Sequence, residues 1–431
     1  MSEEFAELKI KGKKYKLPII EGTTGQFGID INKLRATTGA ITYDNGFANT
    51  SNTLSDITFV DGENGVLRHR GYSISDLVNN CTFVEVAYLI VHGSLPTASE
   101  LKKFSRYLNS HSLIHENMNN FFNNYPADSH PMAILSSMVT SLSSFYPELA
   151  HKEKNFDLTA ARLISKVRTI AAFSFKKSQG EPIVYPREDL SYCANFLNMM
   201  FDSPINKYQI DPLYVKVLNK LLILHIDHGQ NCSATAVKLV GSSKANLYAS
   251  ISAGISALWG PLHGGANQKV IEMLKKIKND GRNIKKYVKK AKDKNDPYRL
   301  MGFGHAVYKS YDPRAKICKE MVDEIFKERN INDPLLDIAK ELEEIALSDE
   351  YFISRNLYPN VDFYTGILYR VLDIPTNMLT VMFALGRLPG WIAQWKEQHD
   401  SNGKIVRPRQ IYVGPKKRDF IPLEERTRNN I

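Results

Sequence analysis

Apolar residues recur every three to four positions over most of this chain, which is the period of amphipathic helices. The pattern runs through 159–175, 189–200, 213–228, 247–259, 265–278, 315–328, 335–347 and 376–398. Before residue 60 it changes. Leu8-Lys9-Ile10-Lys11 alternates, as a half-buried strand does, and Glu21-Gly22-Thr23-Thr24-Gly25, Thr37-Thr38-Gly39 and Val60-Asp61-Gly62-Glu63-Asn64-Gly65 supply turns. Helix starts are predicted at Ser75-Asp76-Leu77, at Thr97-Ala98-Ser99-Glu100, and at Pro131, where a fixed φ suits a first helical turn. Alternating β-branched stretches are scarce, and no repeat of solenoid length occurs. The pattern therefore predicts a mainly α fold with a small β-rich N-terminal region over residues 1–60. Gly260-Pro261 and Asp373-Ile374-Pro375 interrupt helical patterns and are candidate hinges.

Length and composition narrow the classes. A chain of 431 residues is ample for a large core, and 43% hydrophobic with 24% charged residues is ordinary for a globular protein. Disorder and a disulfide scaffold are thereby excluded. The formal charge of +10 suits polyanionic partners without naming one. Its densest part, Lys275 to Lys294, has lysines at helical spacing and predicts a solvated helix face. No zinc-finger spacing or aromatic ladder accompanies it, so nucleic acid is not an expected partner. Cys81, Cys193, Cys232 and Cys318 lie far apart, which fits a reducing compartment. The N-terminus has no apolar leader segment, so a cytoplasmic location is expected. Ala245 to Gln268 is uncharged, but its Asn, Ser, Pro and His residues fit a small-residue helix in a soluble core better than a membrane span.

Five segments can carry chemistry, and each also has a plain structural explanation. His225-Ile226-Asp227-His228 offers metal-ligand types, yet a helix end that gathers polar groups, with imidazolium favoured there, explains it alone. Trp259-Gly260-Pro261-Leu262-His263-Gly264-Gly265-Ala266-Asn267 joins two helical patterns. If the second helix starts near Gly264, its positive end keeps His263 neutral; otherwise His263 is incidental to a tight connection. Gly302-Phe303-Gly304-His305 leads to Lys309 and Asp312-Pro313-Arg314. Val307 stands where a dinucleotide fingerprint needs its third glycine, and no strand precedes it, so that motif is rejected. Pro359-Asn360-Val361-Asp362-Phe363 presents either helix caps or a carboxylate base among aromatics. Arg387 and Arg407, with Arg314, can form a carboxylate clamp, though surface arginines are common.

Taken in order, these motifs resemble those of citrate synthase, in its bacterial, longer-chain (type II) branch. Ile57-Thr58-Phe59-Val60-Asp61-Gly62 and Leu67-Arg68-His69-Arg70-Gly71-Tyr72 extend the resemblance to nearly the whole chain. It implies a two-lobed helical fold, with 61–263 and 373–431 as a large domain and 264–372 as a small one. It implies condensation of oxaloacetate with acetyl-CoA, release of citrate and CoA, and a place in the tricarboxylic acid cycle. Asp362 matches the base, His263 the neutral donor to the enol oxygen, and His305 the group that polarises the oxaloacetate carbonyl. His228, Arg314, Arg387 and Arg407 match the oxaloacetate-binding residues, Arg407 reaching a neighbouring subunit's site. Met301, Gly302, Gly304 and Lys309 match the CoA-contacting region. No metal or cofactor is expected, and the assembly is a homodimer at least, with a hexamer as a further step.

The physical logic fits those roles. A carboxylate removes a proton from a methyl thioester only if a preorganised donor meets the enolate oxygen. The dicarboxylate must be oriented by several cations, and water must be excluded until the carbon–carbon bond forms, which domain closure achieves. Gly229 and Ala306 stand where much of the branch has Glu and Arg. Ser110-His111-Ser112 and Ile205 replace an Arg-His-Thr segment and a cysteine linked to NADH inhibition in some members, while Arg162 and Lys166 remain; weak NADH inhibition is expected. The alternatives are 2-methylcitrate synthase, since one methylene discriminates by only about 1–3 kcal/mol, and a metal-dependent hydrolase built on His225, Asp227, His228 and His263.

Overall fold

The computed structural model describes residues 4–147, 156–401 and 403–427. They fall into two compact units, Met1–Leu54 with Val406–Ile431, and Ser55–Ile405.

The first unit is a three-stranded antiparallel sheet of β1 (Phe5–Ile10), β2 (Lys13–Glu21) and β3 (Phe27–Ile29), in that order. Phe5 pairs with Pro18 and Ile10 with Lys13, so the β1–β2 turn is a tight hairpin. The expected alternation is present in β1, whose residues are exposed and half-buried in turn. A short helix, α1 (Leu34–Thr38), lies where only strands and turns were expected; Gly39 ends it in the left-handed conformation. Among the described residues of this unit, only the apolar side chains of Leu17 and Leu34 are buried. Among its described residues the C-terminal segment has no regular element apart from one 3-10 turn, Leu423–Glu425.

The second unit opens with a small antiparallel sheet, β4 (Thr58–Asp61), β5 (Val66–His69) and β6 (Tyr72–Ser73). Helices follow: α2 (Ile74–Asn80), α3 (Phe83–His92), α4 (Ala98–Ser110), α5 (Asn119–Asn124), α6 (Pro131–Phe145), α7 (Phe156–Ser178), α8 (Tyr192–Phe201) and α9 (Pro212–Leu224). Next come α10 (Cys232–Ser242), α11 (Leu247–Leu258), α12 (Ala266–Asn279), α13 (Ile284–Lys292), α14 (Pro313–Arg329), α15 (Pro334–Ser348), α16 (Glu350–Ile353), α17 (Val361–Val371) and α18 (Leu379–Asp400). The fold is mainly α, as the periodicity predicted.

Local chemistry sets the boundaries. Thr97 and Glu100 form the predicted capping box of α4. The start predicted at Ser75 lies earlier, because Ser73 accepts the Asp76 N–H and caps α2. In α13 the lysines face outward while Ile284, Tyr287, Val288 and Ala291 are buried, so the basic run is a solvated face. The pattern at 376–398 splits into a 3-10 turn, Thr376–Met378, and α18. Helix α18 is buried from Leu379 to Gln394 and packs on α3, α7, α9, α10 and α11, making it the axis of the core. No helix among the described residues is long and apolar enough to cross a membrane.

Candidate active site

Helix α9 stops at Leu224, so the His225–His228 segment follows the helix instead of closing it. His225 caps the end, with backbone N–H bonds to Leu222 and Ile223 carbonyls. Asp227 is buried; its Oδ2 accepts the Gly229 N–H at 2.9 Å, and its Oδ1 lies 3.4 Å from Gln394 Nε2. Two glycines of α18 let that helix lie directly on this segment. A Cβ at Gly390 would sit 2.2 Å from the Ile226 carbonyl oxygen, and one at Gly386 would sit 2.7 Å from His225 Cβ. Between them Arg387 is buried. Its Nε donates to the His225 carbonyl at 2.6 Å, its guanidinium lies 4.9 Å from the Phe383 ring centroid, and its Nη1 has no partner. Burial pulls its pKa down to about 10, against the field of Asp227, so it remains cationic at neutral pH.

His225 itself corrects an expectation. It is not an imidazolium at a helix end. It is fully buried beside Phe383, at 4.4 Å between ring centroids, and burial drives its pKa well below the ordinary imidazole value.

The Gly302–His305 loop is fastened to the start of α17. Gly302 has φ +81°, and a Cβ there would come within 2.8 Å of Val270 and 3.0 Å of Phe363, so only glycine fits. The Asn360 N–H donates to the Gly302 carbonyl at 2.9 Å, and Asn360 Nδ2 donates to the Gly304 carbonyl at 2.8 Å. Asn360 Oδ1 also caps the helix by accepting the Asp362 N–H at 3.0 Å. Capping therefore falls to Asn360 and leaves the Asp362 carboxylate unused. Its Oδ1 is sealed from solvent without a partner. Desolvation raises its pKa to about 6; Arg314 opposes that shift and Asp312 adds to it.

Asp312 is a residue the sequence reading passed over. It is buried and grips Arg314 through both oxygens, at 3.1 Å to Nε and 2.9 Å to Nη2. Its Oδ1 caps α14 through the Arg314 N–H, and its Oδ2 accepts the Val361 N–H at 3.1 Å. An Asp before a Pro reads as a helix cap, and nothing local in sequence reveals the second helix.

The two imidazoles are set by backbone amides. His305 Nδ1 accepts the N–H groups of Val307 at 3.0 Å and Tyr308 at 3.2 Å, so a neutral ring carries its proton on Nε2. His263 Nε2 accepts the Ser233 N–H at 3.3 Å, which puts the proton on Nδ1. Ser233 Oγ lies 2.9 Å from the same nitrogen and is itself held by the Trp391 Nε1–H at 3.1 Å and by Asn231 Oδ1 at 2.7 Å. The helix end that faces His263 is thus that of α10, thirty residues away. The helix expected to begin near Gly264 begins at Ala266. Burial, with Arg387 for His263 and Arg314 for His305, lowers both pKa values to about 4. His228 completes the group: its ring lies 5.2 Å from that of His305, and its Nε2 is 3.1 Å from the Tyr308 hydroxyl.

His228, His263, His305, Arg314, Asp362 and Arg387 therefore share one electrostatic neighbourhood in the second unit, Arg387 acting on His228, His263 and Asp362 alike. Met301 is half-buried with its N–H toward Met273 Sδ, and Lys309 is exposed and paired with Glu63. Arg407 belongs to the first unit, where it is exposed in a segment without regular secondary structure. The sequence reading assigned no role to Ser233, Asn231, Trp391, Tyr308 or His69. Their contacts bridge distant segments, and only the Asn-x-x-Ala capping geometry at Asn231 had a local signal. Among the described residues no three His, Cys, Asp or Glu side chains are grouped to hold a metal ion, so the hydrolase alternative has no ligand cluster.

Comparison with known proteins agrees with this architecture. Residues 46–409 match the family model described as citrate synthase, C-terminal domain. The chain is similar to citrate synthase 1 of Mycobacterium tuberculosis, with 50% identity over 428 residues covering 99% of each chain. Among solved structures, citrate synthase from Pyrobaculum aerophilum is 35% identical with a TM-score of 0.80, over 98% of this chain and 100% of that one. Citrate synthase from Thermoplasma acidophilum, solved as a ternary complex with carboxymethyl coenzyme A and oxaloacetate, is 31% identical with a TM-score of 0.82, over 89% and 100%.

Proposed function

The chain belongs to the citrate synthase family, and on that footing we propose that it condenses oxaloacetate with acetyl-CoA and hydrolyses the resulting thioester to citrate and CoA. The Asp362 carboxylate takes a proton from the acetyl methyl group. His263 Nδ1–H donates to the thioester oxygen as the enol forms. The enol carbon attacks the oxaloacetate ketone carbon, and the ketone oxygen takes the proton of His305 Nε2. Water then cleaves the citryl thioester. His228, Arg314 and Arg387 hold the dicarboxylate, and Arg407 does so from a second copy in a homodimer of the type II kind. Met301, Gly302, Gly304 and Lys309 meet CoA, Lys309 exchanging Glu63 for a phosphate.

One observation carries this proposal. Each imidazole has one nitrogen occupied by backbone amide and its other nitrogen left to donate, and the arginines that act on the rings, Arg387 and Arg314, also act on the Asp362 carboxylate, which has a raised pKa and one buried oxygen without a partner. That set matches the demand for a base and two neutral donors. Thiol release should require oxaloacetate and acetyl-CoA together; no release with both present overturns the proposal. Propionyl-CoA run in parallel tests the 2-methylcitrate alternative, and kcat/KM should favour acetyl-CoA. Light scattering should give a mass of at least two chains. Ser110 and Ile205 support weak NADH inhibition, so NADH should lower the rate little more than NAD does at fixed ionic strength.

A further inference from the structure

His69 ends β5, where it pairs across the strand with Thr58. Its side chain is fully buried. Thr58 Oγ1 lies 2.9 Å from Nδ1, while Nε2 is buried with no partner. A hydroxyl that donates to Nδ1 leaves the ring proton on Nε2. A buried donor without an acceptor is unfavourable and rare in native proteins. It is tolerated where an acceptor arrives from outside.

The surroundings say which acceptor. Asp227, Arg314 and Arg387 all act on the His69 ring, and His69 in turn acts on His228. Of these, Asp227 already has Oδ2 on the Gly229 N–H and Oδ1 toward Gln394. Arg314 and Arg387 are donors, as is His69, and the carboxylates that act on the two arginines, Asp227, Asp312 and Asp362, leave His69 Nε2 without an acceptor. The β4–β5 hairpin is also fastened to the loop that joins His305 to Arg314. The Gly62 carbonyl accepts the Lys309 N–H at 2.9 Å and the Ser310 hydroxyl at 3.2 Å. The strand that carries His69 is thereby registered against the loop that carries two of the site residues. Burial also holds this imidazole neutral, with its pKa lowered to about 4, so it donates without adding charge.

We propose that His69 Nε2–H donates to a carboxylate of bound oxaloacetate, as a further binding residue beside His228, Arg314 and Arg387. The inference rests on the reading of this site as the oxaloacetate site. It gives the neutral imidazole the anion its geometry lacks, and it assigns Thr58 the task of fixing the tautomer.

The experiment compares wild type with His69→Phe, which keeps volume and removes the donor, and with His69→Gln, which returns an N–H. Oxaloacetate Kd by calorimetry, KM for each substrate, and Tm are measured. His69→Phe should raise the oxaloacetate Kd and KM about 10- to 100-fold, the cost of a hydrogen bond to a charged group. KM for acetyl-CoA should stay within about threefold, and His69→Gln should recover most of the loss. A lowered Tm with unchanged oxaloacetate Kd overturns the inference and leaves His69 a core residue. Should His69→Phe fail to fold, Thr58→Val keeps the ring and removes its tautomer partner; a several-fold weaker oxaloacetate Kd supports the inference, and an unchanged one overturns it. A wild type that does not bind oxaloacetate overturns the reading of the site itself, which is a separate result.

Discussion

Segments 259–265 and 302–308 do the same electrostatic task by opposite means. Each presents a neutral imidazole whose pKa burial has lowered to about 4. At His305 the occupied nitrogen is Nδ1, and its donors are amides two and three residues along the same loop. At His263 the occupied nitrogen is Nε2, and its donor is the Ser233 amide of α10. One tautomer is set by local chain geometry; the other depends on how α10, α11 and α18 pack. The free nitrogens consequently differ, Nε2 in one ring and Nδ1 in the other, so two rings of the same type can serve two oxygens without competing for one orientation.

The largest test removes the proposed base. Asp362→Gly should lower kcat by about 10³-fold or more while oxaloacetate binding persists; near-normal turnover would falsify the pairing of donors with a base. Next, His263→Ala and His305→Ala should each cost about 10²- to 10³-fold in kcat. They separate by spectroscopy: the infrared shift of the oxaloacetate ketone on binding should vanish with His305→Ala and survive His263→Ala. If both variants abolish it, the assignment of one ring to each substrate is wrong.

Acid should act through Asp362 and not through the rings. Its carboxylate must be ionised to accept a proton, so kcat should fall about tenfold per pH unit below its pKa of about 6, while the imidazoles stay neutral down to about 4. A raised carboxyl pKa also opposes folding once the group ionises: the penalty is absent below the unfolded value of 3.8 and complete above about 6. Asp362→Asn should therefore gain roughly 1–3 kcal/mol at pH 7.5 and nothing near pH 3.5, read from denaturant midpoints. The smallest effect belongs to Ser233→Ala. It keeps the amide and loses only the hydroxyl, so kcat should fall a few-fold, about the worth of one neutral hydrogen bond. A hundredfold loss would mean that the hydroxyl, not the amide, sets the tautomer of His263.

Periodicity marked eight of the eighteen helices of the described residues, among them α12 and α15, which each bury a single stripe. It missed α3, which is buried on nearly every side, and α10, whose Cys-Ser-Ala-Thr-Ala run has no strong stripe. Site residues carried by loops with glycines, His263 and His305, stood out because glycine beside histidine is informative. Those placed by long-range bonds did not. Asp312, Ser233 and His69 drew no assignment, because the groups they bond lie on other segments. Asp362 and Asn360 were legible only as a pair of alternatives, and the cap turned out to be Asn360 because its carbonyl faces the Asp362 amide.

The contact between α18 and the His225–Asp227 segment has a consequence for how this sequence can drift. At Gly390 and Gly386 even a methyl group collides with neighbouring atoms at 2.2 and 2.7 Å. Any mutational walk that enlarges either residue dislodges Arg387, which lies between them, before it can explore a new substrate. Saturation libraries at 386 and 390 should return almost only the parental codon among active clones, while position 306, exposed and already alanine, should accept many replacements.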